Sequence, residues 1–304
     1  MGLIPVQEYQ NDLLYSKSWG YNPFALEGFH RFGDLKLHYF AANLSEGTET
    51  NSTDDKIHYQ TDISYALTPR SKIFLTSSYL DLFKSKQRGH HLNDALKVHI
   101  KTKSKSSYTL TAMLSKSDKA LLATNEDASG QAFRLEYTKA FKRVDIGLLA
   151  TSASGKSDGS GFLVPMSFTK TTSYWGYSGI VTVCAETDTG FDSDSVHISN
   201  NGYGMNTVQM KAEYRSSKTH SHYLSAGWFG GSKASNRESN IARELFFMDK
   251  LKLNKYLSLH MGFAYAKIYD SLSGYGLGAA GGFNQAQGVV RYKRALYGRL
   301  QVEF

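Results

Sequence analysis

Four histidines, His38, His58, His99 and His260, recur on the polar faces of segments whose residues alternate between apolar and polar. A hydrolytic site would need an imidazole beside a nucleophilic serine, oriented by a carboxylate or amide. Serine is too plentiful here to count, and no spacing marks a nucleophile, so no catalytic residue is assigned. Cys184 is the one cysteine, which excludes an internal disulfide and any paired-cysteine metal or redox motif. His90 and His91 are adjacent in what reads as an outer loop and are a weak metal pair. Glu186, Asp188, Asp192 and Asp194 could offer oxygens to a hard cation such as Ca²⁺. They lack the spacing of a dedicated loop motif, and a solvated loop is the simpler reading. No metal and no cofactor is expected.

The chemistry that does recur is cationic. Lys36, Lys97, Lys101, Arg134, Lys211, Arg215, Arg291, Lys293 and Arg299 share the polar faces, with Arg31 and Lys252. Glu27, Asp62, Glu136, Asp145, Glu213 and Glu303 oppose them. A wall rich in Lys and Arg around a wet passage favours anions. The competing reading is that these charges pair across neighbouring strands and hold the wall together. Glu136 beside Arg134, and Glu213 between Lys211 and Arg215, are the pairs expected on that reading.

The elements that must position these residues are strands. From Phe304 back, Val302, Leu300, Gly298 and Leu296 alternate with Glu303, Gln301, Arg299 and Tyr297, a period of two. Segments of about ten residues repeat the pattern along the chain. In 35–44, Leu35, Leu37 and Tyr39 oppose Lys36 and His38. In 257–266, Leu257, Leu259, Met261, Phe263 and Tyr265 oppose Ser258, His260 and Gly262. Two stretches are less clean: 72–83, and 241–253, where ELFFM is apolar on both faces. Arg294 is an exception, because its phase places it among the apolar residues. It either reaches an interface or marks a bulge.

Short connections at 33–34, 68–71, 103–106, 141–143, 217–220 and 254–256 alternate with long ones at 45–55, 85–92, 116–130, 153–204, 231–240 and 270–287. Short turns on one rim and long loops on the other, with a terminal aromatic, resemble a bacterial outer-membrane β-barrel. The fold class is therefore all-β, a transmembrane antiparallel up-and-down barrel. Thirteen strands follow from position 24 onward, and barrels of this kind have even counts. One further strand within 5–17 gives about fourteen, in a range of 12–16. The alternative adds strands at 161–169 and 173–183 and gives about sixteen. In this resemblance Leu300, Val302 and Phe304 form the signal read by the barrel assembly machinery.

Composition agrees. Tyr, Phe and Gly are common and Pro is scarce, and no run approaches the ~20 apolar residues of a membrane helix. The formal net charge is +8, but Lys and Arg are scattered and form no nucleic-acid motif. The first residues show neither a basic nor an apolar leader region, so an exported chain is expected to have lost one or to continue upstream.

The segment 153–204 breaks the rhythm. It carries Phe162, Leu163, Val164, Met166, Phe168, Tyr174, Trp175, Ile180 and Val181, which an outer loop must bury. It is expected to fold into the barrel mouth, with Phe162, Phe168, Tyr174 and Trp175 narrowing the passage. The stretches 22–42, 67–80 and 253–266, with GFLVPMSFTKTTSYWGY at 161–177, further resemble alginate-export-type barrels. That resemblance implies an anionic polysaccharide as cargo, and no individual residue role is taken from it. The expected function is an outer-membrane porin for passive diffusion of small hydrophilic, preferentially anionic solutes. The alternatives are an exporter of an anionic polysaccharide and a plugged structural or adhesive barrel. Expected partners are outer-membrane lipid and lipopolysaccharide.

Overall fold

Alternation dictates the architecture. A strand that places Leu, Phe or Tyr at every second position offers one continuous apolar face, and its neighbours extend that face sideways. The computed structural model describes residues 2–3, 24–45, 56–84, 87–122, 126–165, 168, 176–178, 198–232, 240–269 and 292–302. They form one antiparallel sheet of 14 strands paired in chain order. The strands are β1 (Gly2–Leu3), β2 (Phe24–Phe32), β3 (Leu35–Ser45), β4 (Lys56–Thr68), β5 (Ser71–Lys84), β6 (Gln87–Lys101) and β7 (Ser106–Ser117). They continue as β8 (Ala128–Ala140), β9 (Val144–Ala153), β10 (Met205–Arg215), β11 (His220–Gly231), β12 (Asn240–Lys252), β13 (Leu257–Ile268) and β14 (Tyr292–Val302). This is the up-and-down barrel topology expected. No helix among the described residues is long and apolar enough to cross a membrane.

The first strand lies at Gly2–Leu3, pairing with Phe24 and Ala25. The expected strand at 5–17 lies outside the described residues. The loop expected at 85–92 is corrected. β5 runs to Lys84 and β6 begins at Gln87, so the ladder continues through His90 and His91. Polar residues made this stretch read as loop, yet they stitch the strand ends. Arg88 Nε donates to Asp81 at 2.7 Å, and the His90 backbone N–H donates to Asp118 at 2.9 Å. His90 and His91 therefore point to opposite faces and cannot share a metal ion.

The outer surface carries an apolar band. Leu75, Leu96, Leu110, Leu135, Leu148, Met210 and Phe247 are all exposed on it. Aromatic rings flank the band at both rims. Tyr108 and Tyr137 lie 5.0 Å apart near the short turns, and Tyr59 and Tyr79 lie 6.3 Å apart near the opposite rim. Such an exposed band is intelligible only against hydrocarbon, with aromatic girdles at the two interfaces. Arg294 sits in the second girdle, its guanidinium 5.9 Å from the Tyr265 ring and near Tyr292. The β13–β14 register is unbroken there, so Arg294 reaches an interface and no bulge is present.

Leu135 tests the band. It lies at mid-strand on β8 and faces outward. Leu135→Arg is expected to cost ~2–4 kcal/mol of folding free energy in lipid, because it places a cation near the bilayer midplane. Equilibrium refolding into vesicles measures this. A loss below about 1 kcal/mol, the interface value, would move the band elsewhere.

Candidate functional site

The opposite face of the sheet has two tiers. In the half nearer the short turns it is polar and cationic. Lys36, Lys97, Lys101, Arg134, Lys211, Arg215 and Arg299 alternate with outward apolar neighbours and face inward. Two further cations belong to this tier. Lys72 pairs in register with inward His99, and Lys250 follows inward Phe246 and Met248. A recess at this end is lined by Glu213, Arg215, Lys218, Lys250, Lys252, Lys255, Ser258 and His260, among others. Arg291 lies outside the described residues, as does the side chain of Lys293. Phe304 lies outside them too, while Leu300 and Val302 face outward on β14.

Some of these charges serve the wall. Arg134 Nη2 donates to Glu136 at 3.1 Å, the pair the sequence suggested. Glu213 does not take Arg215. It accepts from Ser221 Oγ at 2.8 Å and lies 3.9 Å from Lys250, while Arg215 bonds Asp145 across β9–β10. Asp62 accepts from Gln60 at 2.7 Å and Thr76 at 2.7 Å and contacts the His38 ring, which also touches Glu27 at 2.9 Å. Cross-strand pairing and a cationic lining thus coexist in one tier.

In the other half the inner face turns apolar. Phe40, Leu44, Leu80, Leu82, Met113, Phe229 and Phe246 are buried there, although they line the concave side of a wall. The segment between β9 and β10 contributes Phe162, Val164 and Ile198 to the same buried cluster, with Phe168 packed against it. Phe162, Leu163 and Val164 are buried among them. Among the described residues of 154–204 none lies in a strand, which corrects the sixteen-strand alternative where it can be seen. Backbone polar groups brought into this space need partners. The Leu163 N–H donates to Ser115 Oγ at 3.0 Å, and Asn93 Nδ2 donates to the Leu163 carbonyl at 3.1 Å.

Tyr177 makes the deepest anchor. Its N–H donates to Gln209 Oε1 at 2.9 Å, its hydroxyl to Glu136 Oε1 at 2.9 Å, and its carbonyl accepts from the Tyr223 hydroxyl at 2.6 Å. Lys211 Nζ lies 4.5 Å from the centre of its ring. Ser178 bonds Glu244. Glycines admit the segment. A Cβ on Gly130 would stand 2.3 Å from the Phe162 backbone nitrogen. At the root, the Gly202 carbonyl accepts from Lys156 and Gly161, each at 3.0 Å, with Gly202 held at φ +84°. Of the residues expected to narrow the passage, Phe162 is buried and Phe168 packs on the His91 ring at 4.7 Å. Tyr174 and Trp175 lie outside the described residues, as do Glu186, Asp188, Asp192 and Asp194.

Two serine–imidazole contacts do occur. His58 Nε2 lies 3.1 Å from Ser78 Oγ, and His91 Nδ1 lies 2.6 Å from Ser117 Oγ with Asn93 on its other nitrogen. All five side chains are 0–1% exposed. The His91 ring is held on both nitrogens, by Ser117 and Asn93, and both serine hydroxyls belong to buried residues.

No family model matches the chain, and no curated protein does. Solved structures do. OccK5 (OpdH) of Pseudomonas aeruginosa is 8% identical, with a TM-score of 0.57 over 96% of this chain and 75% of its own. OccAB1 of Acinetobacter baumannii is 13% identical, with a TM-score of 0.53 over 93% of this chain and 68% of its own. Both are outer-membrane β-barrels. At these identities the likeness concerns the fold, which is that of a bacterial outer-membrane β-barrel.

Proposed function

We propose that this protein is an outer-membrane channel that passes small hydrophilic solutes by diffusion, anions preferentially. The observation that carries this reading is the cationic tier of the inner wall. Lys72, Lys97, Lys101, Lys211, Lys250 and Lys252 face the same space from four strands. Their field sums over a confined, low-dielectric mouth and raises the local concentration of anions. The similarity to OccK5 and OccAB1 supports a transport barrel of this general shape.

The segment 153–204 acts as an outer loop folded into the lumen, above the cationic tier. Its apolar part narrows the passage, and Tyr177, bonded to Glu136 and over Lys211, ties that constriction to the lining. The passage therefore admits small solutes only. The resemblance to alginate-export-type barrels is not carried by the comparisons, and a bulky polysaccharide fits a segment so placed less well than a small anion does.

Liposome swelling tests this. A sugar acid is expected to enter faster than a neutral sugar of the same size, and an amino sugar more slowly. The reverse order would overturn the anion preference. Equal exclusion of all three would make the protein a plugged structural barrel.

A further inference from the structure

Titratable side chains are out of place on the outer wall, where apolar residues face lipid. Close to the short-turn rim three of them meet. His220 and His222 stand two residues apart on β11, so both project outward, and their rings lie 4.5 Å apart. Asp249 on β12 is the register partner of His222 and faces the same way. The His220 Nε2 lies 3.0 Å from each Asp249 oxygen, and the His222 Nδ1 lies 2.7 Å from Oδ1. One ligand atom from each of the three lies within 4.8 Å of the others.

We propose that His220, His222 and Asp249 bind a divalent transition-metal ion of the Zn²⁺ type. Two imidazoles and a carboxylate are a ligand set such ions accept. In a tetrahedral site with metal–nitrogen bonds of about 2.0–2.1 Å, neighbouring ligand atoms stand about 3.3 Å apart. The two imidazole–carboxylate separations are already close to that, so small side-chain rotations complete three corners and leave a fourth for water.

The surroundings favour an ion. The Tyr214 ring stacks on His222 at 6.1 Å, and Leu251 and Met261 are the register partners of His220 and Asp249. These apolar neighbours lower the local dielectric and strengthen attraction between the carboxylate and a cation. Lys250 and Lys252 project to the other face of the sheet, and Lys218 lies in the turn. All three ligands stay partly exposed, at 36%, 34% and 28% of their side-chain surface, so an ion can reach them.

The test uses the full chain without a histidine tag, folded in detergent, and titrates Zn²⁺ calorimetrically. Wild type is expected to take up one Zn²⁺ per chain. His220→Gln, His222→Gln and Asp249→Asn are each expected to weaken uptake by about tenfold or more. His30→Gln, outside the cluster, is expected to leave it unchanged. Co²⁺ bound to wild type is expected to show the intense visible bands of a four-coordinate site, a reading that needs no variant to fold. Absence of saturable uptake by wild type, binding retained in all three variants, or a purely octahedral Co²⁺ spectrum would overturn the proposal.

Discussion

Gly130→Leu is expected to free the inner segment while leaving the barrel folded. The reason is steric and local. A Cβ at Gly130 meets the Phe162 backbone nitrogen at 2.3 Å, its Cα at 2.5 Å and Ser154 Oγ at 2.7 Å. Backbone cannot rotate away as a flexible side chain can. Overpacking of this kind costs about 1–3 kcal/mol. Gly130 pairs with Ser115 in the β7–β8 ladder and precedes the first β8–β9 pair at Ala132, but its Cβ direction leaves the plane of the sheet toward the inner face, away from both ladders. The strain therefore falls on the segment, which loses the seat that buries Phe162, Leu163 and Val164. Two measurements read this out. Protease should cut within 154–204 in the variant and not in wild type, and unitary conductance should rise several-fold. Gly298→Ala, where an added Cβ meets nothing within 4 Å, serves as the control with no expected change. Unchanged conductance in a variant whose segment is cleaved would remove the segment from the conduction path.

How much of this was legible in the residues depends on which face a residue serves. Lipid imposes apolar side chains on one face of every strand, so the strands and their inward cations could be read from alternation alone. Lys36, Lys97, Lys101 and Lys211 fell out of that phase directly. Legibility failed where the inner face is apolar as well. On β12, Phe246 and Met248 point inward beneath the inner segment while Leu245 and Phe247 point to lipid. The period vanished there, and Lys250 was missed with it. Lys72 was lost in the same way on β5, where inward Phe74 and Leu80 blur the phase. The apolar mass of 153–204 announced that it needed burial and pointed to the barrel mouth, but not to the side chains that would hold it. Tyr177 is anchored by Glu136, Gln209 and Tyr223 from three strands, partners that no local spacing brings together. The His220–His222–Asp249 cluster had a readable half, two histidines at a spacing of two. Its carboxylate comes from the next strand and needed the register.

Reversing charge in the cationic tier is expected to have the largest effect on what the channel passes. Lys101 and Lys252 suit the test, because both are exposed on the inner side near the short-turn mouth. The double variant Lys101→Glu, Lys252→Glu changes the formal charge of the mouth without touching the anchor at Tyr177. At ~0.1 M salt the Debye length is about 10 Å, comparable with the reach of such charges across a small passage. The variant should lose most of its anion preference there. At ~1 M salt, where the Debye length is about 3 Å, wild type and variant should converge. A fixed difference at both ionic strengths would point to altered structure rather than altered field.

The reversal potential of the wild-type channel in a planar bilayer, across a tenfold KCl gradient at low ionic strength, is the most direct test. The cationic tier predicts a potential displaced toward the chloride equilibrium value, with the displacement shrinking as salt is raised. A potential displaced toward the potassium value would contradict it, since the carboxylates of the wall would then govern the passage.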